Sequence, residues 1–279
     1  MPDAVVVTGA AKGIGRACVV RLARRFRVYA GVRNLADGES LRAEAGDSVV
    51  PVQLEVTDPD AIAAAAEFIR GDLDGAMLTG LVNNAGIAVA GPLEFLPITE
   101  LRKQLEVNVV GQVAVAQAML PMLRESRGRI VNMGSIAGLS ALPMTGPYAA
   151  SKFALEAITD SLRVELLPFG VDVIIIEPGV IATPIWETSM EAADKVLAQM
   201  PPKAFEYYGV IIERVKARAM NGMGGLPADA VAQVVEHALT ARKPKTRYMV
   251  GNDAKVRALL RFLPDRTRDR LIAKQLSKI

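Results

Sequence analysis

The chain has 279 residues, of which 51% are hydrophobic and 23% are charged, and its 33 Lys and Arg residues nearly balance 30 Asp and Glu residues. This composition supports a substantial buried core and excludes an intrinsically disordered chain. One Cys and one His leave no disulfide framework, no metal site of the usual His and Cys type and no ready histidine triad. These counts favour metal-independent chemistry in a reducing, cytoplasmic compartment.

Short β-branched runs alternate along the chain with longer stretches of helical periodicity, which is typical of repeated β-α units and a parallel sheet. The predicted strands are residues 4–8, 27–32, 48–54, 80–82, 129–133, 171–176 and 247–250. The predicted helices are residues 14–24, 59–70, 99–123, 148–167 and 228–241. The pattern predicts an α/β fold: residues 1–279 form one domain around a doubly wound, Rossmann-type parallel sheet of about seven strands, with a helical lid inserted.

A glycine-rich turn follows the first predicted strand and leads into the first predicted helix. Glycines there let the backbone approach a pyrophosphate, whose negative charge the helix N-terminus favours. The residues that this turn offers to a dinucleotide cofactor are Gly9, Lys12, Gly13, Ile14 and Gly15.

The second predicted strand ends at Arg33, at the position where an acid would bind the ribose 2′-hydroxyl of NAD(H). Arg33 and Lys12 are two cations that suit a 2′-phosphate instead. The sequence therefore predicts NADP(H) in preference to NAD(H). The alternative is that both cations are ordinary solvated surface charges.

Tyr148 and Lys152 stand four residues apart, which places them on one face of a helix, one turn from each other. A Tyr with a pKa near 10 is a poor acid or base at neutral pH, but a nearby Lys cation stabilises the phenolate and lowers that pKa. Such a phenol exchanges a proton with a carbonyl or alcohol oxygen. This spacing alone recurs by chance, so the other motifs must decide its meaning.

Residues 184–226 interrupt the β-α alternation with a segment rich in Met, Pro and helix-forming residues. Its position predicts a substrate lid at the carboxyl edge of the strands, where open α/β sheets bind their ligands. Its apolar residues, Trp186 among them, suit a pocket for a lipophilic alcohol or ketone. The alternative is that they pack the lid helices onto the body of the protein.

Residues 253–279 form a basic amphipathic tail, in which eight Lys and Arg residues from position 255 onward face only Asp265 and Asp269. Pro264 divides the tail into two segments. A basic amphipathic helix favours either peripheral contact with an anionic membrane or packing on the protein or on a second subunit. The remainder carries no basic run with interleaved aromatics, so nucleic acid is not an expected partner, and the N-terminal residues show no secretion signal.

Several further motifs accompany the Tyr148 and Lys152 pair. They are the turn at residues 8–15, Asn83-Asn84-Ala85-Gly86, Asn108, Ser135 thirteen residues before Tyr148, and Pro178-Gly179 followed by Thr183. In this order and at these spacings they resemble the classical short-chain dehydrogenase/reductase family over roughly residues 4–250. Residues 28–34 and the lid look most like the steroid and retinol dehydrogenase branch of that family.

The resemblance implies an NADP(H)-dependent oxidoreductase that moves a hydride between the nicotinamide and a hydroxyl or carbonyl group of a lipophilic substrate, with Tyr148 as general acid and base. It implies that Ser135 holds the substrate oxygen, that Lys152 tunes Tyr148 and holds the nicotinamide ribose, and that Asn108 anchors a water linking Lys152 to solvent. Ser135, Tyr148 and Trp186 are then the substrate residues. The resemblance also implies a homodimer or homotetramer packed through helices 99–123 and 148–167.

The remaining cofactor residues also follow from the resemblance. Beneath the adenine ribose it places Asn83, Ala85 and Gly86, and beside the nicotinamide it places Pro178, Gly179, Ile181 and Thr183. At the end of the third strand, where the family commonly has an Asp against adenine, this chain has Glu55 followed by Val56. The longer Glu55 side chain is therefore expected either at the adenine or pointing elsewhere.

A membrane-surface lipid-binding module is one alternative function, and it rests only on the tail and the lid. Two further functions fit the same sequence. One is a cofactor-sensing binding protein without turnover, which the loss of Tyr148 or Lys152 would have favoured, but both are present. The other is an NAD-dependent alcohol dehydrogenase of the same family, if Arg33 and Lys12 do not bind a phosphate.

Overall fold

The computed structural model describes residues 2–222 and 224–277. Met223 of the predicted lid and residues 278–279 of the predicted tail lie outside the described residues. The strands are β1 (Ala4–Thr8), β2 (Arg27–Val32), β3 (Val49–Gln53), β4 (Leu78–Asn83), β5 (Arg129–Met133), β6 (Asp172–Pro178), β7 (Ile181–Ala182), β8 (Leu226–Pro227) and β9 (Arg247–Val250).

Helices follow most of these strands. They are α1 (Gly13–Leu22), α2 (Leu35–Ala45), α3 (Pro59–Asp72), α4 (Ile98–Leu105), α5 (Gly111–Ser126), α6 (Gly146–Leu166), α7 (Ile185–Leu197), α8 (Pro202–Gly222), α9 (Ala228–Thr240), α10 (Asn252–Ala258) and α11 (Asp265–Ser277). A π-helical turn, Glu106–Val110, joins α4 to α5, and a short 3₁₀ turn, Ile136–Gly138, follows β5.

Seven strands form one parallel sheet in the order β3-β2-β1-β4-β5-β6-β9. The chain winds outward from β1 to β3, then crosses back and winds the other way from β4 to β9. This confirms the predicted doubly wound sheet of about seven strands. The order reverses between β1 and β4, and ligands of open α/β sheets bind at the carboxyl ends of the strands beside such a reversal.

The sheet is buried on both faces, which explains its nearly continuous apolar strands. Successive strand residues point to opposite faces, so Val5 and Val7 pack with α1 and α9 while Ala4 and Val6 belong to the core on the other side, with α3 and α5. Each fully buried Val or Leu contributes roughly 1.5–3 kcal/mol by the hydrophobic effect. Cys18 lies in the first core, where burial raises the pKa of its thiol to about 12.

The structure corrects two of the helix predictions. The sequence predicts no helix between the second and third strands, yet α2 lies there. Only Gly38 and Leu41 of α2 are buried, so its sequence shows no apolar stripe; the available signal is Asn34, whose side chain caps the helix by accepting from the Ala36 backbone N–H at 3.0 Å. The single helix predicted over 99–123 is interrupted by the π-helical turn Glu106–Val110.

The lid helices α7 and α8 pack their buried face against the segment that follows β4. The buried members of this cluster are Val89, Leu96, Met144, Val196, Leu197, Met200, Ala204 and Ile212. Tyr208 adds a hydrogen bond from its hydroxyl to Glu94 at 2.6 Å. A large part of the lid's apolar surface therefore packs the lid onto the body, as the second interpretation of its composition expects.

Among the described residues, one helical stretch, Ile98–Ser126, has the length and apolar composition of a membrane span. It consists of α4, the π-helical turn and α5, and 44% of its apolar window is buried inside the protein. Met119 and Leu123 of this stretch belong to the core beneath the sheet. The stretch thus packs as a core helix.

Candidate active site

The glycine-rich turn between β1 and α1 forms a cradle of backbone atoms. Gly9 and Gly13 have φ angles of +63° and +54°, which residues with side chains rarely adopt. A Cβ on Gly15 would lie 2.3 Å from the Gly9 carbonyl oxygen. Within the described chain the Lys12 side chain makes no capping bond to α1, so the first N–H groups of the helix remain available to an anion. The turn therefore fits the pyrophosphate of a dinucleotide.

Thr8 and Asn84 fix this cradle to the end of β4. The Thr8 hydroxyl accepts hydrogen bonds from the backbone N–H groups of Asn84 (2.9 Å) and Ala85 (3.0 Å). The Asn84 side chain donates to the carbonyl oxygens of Thr8 (2.9 Å) and Gly9 (3.2 Å). Neither Thr8 nor Asn84 was predicted as a site residue, although both lie inside motifs that the sequence shows.

The other residues of the Asn83-Asn84-Ala85-Gly86 motif have different surroundings. Asn83 is buried in the sheet, where its side chain donates to Asn132 Oδ1 at 3.1 Å. The Ala85 Cα would lie 2.8 Å from a Cβ on Gly9, so Ala85 lies directly against the cradle. Gly86 faces Asn108, whose Oδ1 would lie 3.2 Å from a Cβ on Gly86.

The predicted determinants of cofactor preference lie at the ends of β1 and β2. Lys12 and Arg33 are exposed, whereas the neighbouring cation Arg16 is paired with Glu44 of α2. Glu55 is turned toward its own loop: its carboxylate accepts from the Thr57 backbone N–H (3.2 Å) and hydroxyl (3.0 Å). The contact of Glu55 with adenine stays a prediction.

The segment after β3 also contacts the start of α5, which follows the π-helical turn. Val56 is buried, and its carbonyl oxygen would lie 2.5 Å from a Cβ on Gly111. Only a glycine lets α5 approach the β3 end this closely.

Ser135, Tyr148 and Lys152 meet at the carboxyl end of β5. Ser135 follows this strand in an extended conformation, accepts from the Ala137 N–H at 3.1 Å and is hydrogen-bonded to the Tyr148 hydroxyl. Tyr148 lies in the first turn of α6, and Lys152 lies one turn later. The Lys152 ammonium donates to the Met133 carbonyl at 2.7 Å and lies 5.7 Å from the centre of the Tyr148 ring.

Burial dominates the titration of this cluster. It raises the pKa of Tyr148 above the ordinary 10.0, against the opposing effects of the Ser135 hydrogen bond and the Arg257 charge. It also lowers the pKa of Lys152 from 10.5 to about 8, against the opposing charge of Glu156. The spacing of Tyr148 and Lys152 predicts that Lys152 lowers the pKa of Tyr148. In the structure the net shift of that pKa is upward, and the cation that opposes it is Arg257. Tyr148 is therefore a protonated phenol at neutral pH.

A buried ion cluster lies one turn beyond Lys152 on α6. Glu156 and Glu177 both bind the guanidinium of Arg247, which comes from β9. Burial raises the pKa of Glu156 to about 7, although the Arg247 hydrogen bond opposes this shift. Since Glu156 also acts on Lys152, this cluster influences the charge of the Lys152 ammonium.

Asn108 lies in the π-helical turn and is completely buried. Its Oδ1 accepts from the Ile87 N–H at 2.9 Å, and its Nδ2 donates to the Ile87 carbonyl at 3.0 Å and to the Ser151 hydroxyl at 3.1 Å. Asn108 thus ties the segment after β4 to the residue next to Lys152. Single π turns inside helices occur frequently at functional sites.

Gln104, one helical turn before Asn108, extends this hydrogen-bond network. It was not predicted as a site residue. Its Oε1 accepts from the Val89 N–H at 2.6 Å, and its Nε2 donates to the Ile87 carbonyl at 2.9 Å. The side-chain amides of Asn108 and Gln104 together bind the backbone of residues 87–89. Gln104 lies among Arg102, Lys103 and Glu106, so no local pattern in the sequence distinguishes it.

The loop after β6 forms the opposite wall of the site. The Gly179 N–H donates to the Val250 carbonyl at 2.9 Å, and β7, which begins at Ile181, pairs with β8. Thr183 lies across from the cradle, with its Cβ 3.2 Å from where a Cβ on Gly13 would lie. The loop that starts at Pro178 therefore reaches back to the glycine turn.

Trp186 connects this loop to the lid. Its indole N–H donates to the Ile181 carbonyl at 2.7 Å, and the side chain is half-buried at the start of α7. The substrate role predicted for Trp186 stays a prediction, while its contact with the loop is a structural fact.

Comparison with known proteins agrees with this geometry. A sequence profile of the short chain dehydrogenase family matches residues 3–194. Retinol dehydrogenase 5 of Mus musculus is 37% identical over 279 residues, covering 96% of this chain and 87% of that protein. An NADPH-dependent 3-dehydrocapnine reductase of Ornithobacterium rhinotracheale is 37% identical over 281 residues, covering 98% of this chain and 97% of that protein.

A solved structure gives the same result. The crystal structure of a short chain dehydrogenase from Burkholderia cenocepacia J2315 in complex with NADP superimposes with a TM-score of 0.73 at 28% identity, covering 98% of this chain and 97% of that one. The chain belongs to the short-chain dehydrogenase family, with relatives among the retinol dehydrogenases, as the motifs predicted. It is an oxidoreductase of the nicotinamide-dependent type.

The cradle geometry predicts the effect of Gly15→Ala. The new Cβ would meet the Gly9 carbonyl, so the turn must move, and we expect NADPH binding to weaken by about tenfold or more, which corresponds to 1.4 kcal/mol or more. Fluorescence titration measures this. Gly71→Ala is the matched control, since a Cβ there meets open space on α3. Unchanged affinity in Gly15→Ala would contradict the assignment of the cradle.

Proposed function

We propose that the protein is an NADP(H)-dependent oxidoreductase that interconverts a hydroxyl and a carbonyl group on a lipophilic, steroid-, retinoid- or long-chain-like small molecule. The observation that carries the proposal is the convergence of Ser135, Tyr148 and Lys152 at the carboxyl end of β5. The cradle of Gly9 and Gly13 provides the place for the cofactor pyrophosphate, and the bound nicotinamide supplies or accepts the hydride.

In the direction of reduction, Ser135 donates a hydrogen bond to the substrate carbonyl oxygen and Tyr148 donates its proton to the same oxygen. Burial keeps that proton on the phenol at neutral pH, which suits Tyr148 to act as an acid. In oxidation the phenolate takes the alcohol proton back. Lys152, held by the Met133 carbonyl, places its ammonium beside the phenol, and Asn108 orders the segment through which a water would connect Lys152 to solvent.

The preference for NADP(H) rests on Lys12 and Arg33. Both are exposed cations at the ends of β1 and β2, and Arg33 replaces the acid that would bind a ribose 2′-hydroxyl. The Ornithobacterium relative is named for NADPH, and the Burkholderia structure contains NADP. These observations support NADP(H) over NAD(H).

A lipophilic substrate is supported by the part of the lid that does not pack on the body. Ile185, Trp186 and Met190 of α7 are half-buried, and Trp186 contacts the loop after β6 through its bond to the Ile181 carbonyl. Flexible Met side chains and aromatic rings suit an apolar ligand. The mouse relative is named for retinol, a ligand of this class.

The tail carries the proposed peripheral membrane contact. In its first segment, Ala254 and Ala258 are buried against the body, whereas Val256, Leu259 and Phe262 are 67%, 63% and 72% exposed. These side chains form an outward apolar row among basic residues, which suits an anionic membrane surface. We place the enzyme in the cytoplasm with this row as its membrane contact.

We also propose a homodimer or homotetramer packed through α5 and α6. The exposed apolar residues are Val110, directly before α5, and Phe153 and Val164 on α6. Exposed apolar side chains on these two helices support association through them.

The cofactor assignment predicts that NADPH binds more tightly than NADH. Arg33→Ala and Lys12→Ala should each weaken NADPH binding by about ten- to a hundredfold, since each removes a charge-assisted contact with the 2′-phosphate, and should leave NADH binding nearly unchanged. Fluorescence titration measures both cofactors. Arg42→Ala, an exposed cation elsewhere on α2, is the control. Equal affinities for the two cofactors in all variants would overturn the NADP(H) assignment.

The proton-donor role of Tyr148 predicts a pH profile. Reduction of retinal with NADPH should hold its rate through neutral pH and fall only in the alkaline range, because the pKa of the buried phenol is raised. Tyr148→Phe should lower kcat by about 10²–10⁴-fold and leave NADPH binding intact. Tyr207→Phe on the exposed face of α8 is the control. Full activity in Tyr148→Phe would remove Tyr148 from the mechanism.

The membrane proposal predicts that the protein co-sediments with phosphatidylserine vesicles and less so with phosphatidylcholine vesicles or at high salt. A variant with Ser at positions 256, 259 and 262 should stay in the supernatant, because the apolar row is gone. Phe205→Ser, which removes an exposed aromatic from α8, is the control. Equal sedimentation of the triple variant would rule out the tail as the membrane contact.

A further inference from the structure

Asp253, at the start of α10, holds the loop after β6. Its carboxylate accepts a hydrogen bond from the Val180 backbone N–H at 2.7 Å. A Cβ on Gly179 would lie 2.3 Å from an Asp253 oxygen, so the carboxylate lies directly against the loop backbone. Gly251 permits this approach with a φ of +104°. The loop that we assign to the nicotinamide is therefore fixed from the C-terminal tail.

Arg257, one helical turn later, reaches the other wall of the site. Its Nη2 donates to the Ser140 carbonyl at 2.5 Å, and Ser140 belongs to the segment that runs from Ser135 to Tyr148. The side chain is half-buried, and its positive charge acts on the Tyr148 phenol. Among the described residues, Lys152 on α6 lies near the Tyr148 ring and Arg257 on α10 acts on its hydroxyl by charge.

The buried alanines of α10 pack this helix directly against the segment that carries Ser135. Ala254 and Ala258 are buried and share a small apolar cluster with Ile136, the residue after Ser135. Residues four apart lie on one face of a helix, so Asp253 and Arg257 project from α10 together with these alanines. One short helix thereby touches both the loop after β6 and the segment that carries Ser135.

We propose that α10 is a positioning element of the catalytic centre, in which Asp253 sets the loop that faces the nicotinamide and Arg257 sets the Ser135 to Tyr148 segment. This inference rests on the proposed function and assigns to the tail a role beyond membrane contact. Asp253 and Arg257 act through other residues and are positioning residues. A rigid supporting shell of this kind decides whether reacting groups are held in productive geometry.

The Asp253 part is tested by comparing Asp253→Ala with Asp253→Asn. Asn retains an oxygen that accepts from the Val180 N–H, whereas Ala retains none. We expect Asp253→Ala to weaken NADPH binding and lower kcat by about tenfold or more, and Asp253→Asn to recover most of the loss. Equal defects in both variants, or none in either, would overturn this part. If Asp253→Ala does not fold, Asp253→Ser, whose side chain is a shorter hydrogen-bond acceptor, takes its place in the comparison with Asp253→Asn.

The Arg257 part is tested by the titration of Tyr148, which needs no substrate. Ultraviolet difference titration, with Tyr148→Phe as the reference, should show a higher pKa for Tyr148 in Arg257→Met and nearly the wild-type value in Arg257→Lys, which keeps the charge. NADPH affinity should not change in Arg257→Met. Lys255→Met, which removes an exposed cation from the same helix, is the control. An unchanged Tyr148 titration in Arg257→Met, or an equal shift in Lys255→Met, would overturn this part.

These measurements separate the inference from the proposed function. If wild-type protein binds NADPH but turns over no carbonyl substrate, the proposed function fails, while the Tyr148 titration and the Asp253 binding comparison still decide whether α10 positions the two walls. If turnover is present and the variants behave like wild type, the inference alone fails.

Discussion

The burial of a phenol and an ammonium at the carboxyl end of β5 is the constraint on which the rest of the site depends. Removing Lys152 from water disfavours its charge, and removing Tyr148 from water disfavours the phenolate. The surrounding groups offset this cost in part, since the Met133 carbonyl accepts from the ammonium and the Ser135 hydroxyl bonds the phenol. The net result is an acid that keeps its proton at neutral pH and stands beside a cation of reduced pKa.

The doubly wound topology brings the remaining parts to the same edge. Because the strands are parallel, the ends of β1, β4, β5 and β6 lie side by side, and each end is tied to a neighbour by a polar side chain. Asn84 ties the cradle to β4, Asn108 ties the segment after β4 to α6, and Asp253 ties the loop after β6 to the tail. These side-chain bonds to backbone and hydroxyl groups fix the loops that surround the site.

Local sequence patterns predicted the strands of the sheet and the pairing of Tyr148 with Lys152. Apolar runs located the seven strands, and the spacing of Tyr148 and Lys152 predicted their meeting on one helix face. What they missed depends on tertiary contacts, since α2 buries too few residues to show an apolar stripe. Arg257 reaches Ser140 over a separation of 117 residues, for which a single sequence holds no local signal. The sign of the Tyr148 shift depends on burial, which the helix spacing alone does not reveal.

The protonated state of the Tyr148 phenol is the claim on which this mechanism rests, and it is measured most directly by NMR. Protein labelled with ¹³C at Tyr Cζ, without cofactor, would be titrated with pH, and the Tyr148 signal identified by its loss in Tyr148→Phe. We expect this signal to keep the chemical shift of a protonated phenol through neutral pH and to titrate above the ordinary Tyr pKa of 10.0. A Tyr148 that loses its proton near neutral pH would contradict the account, because burial would then not be the dominant influence on the site.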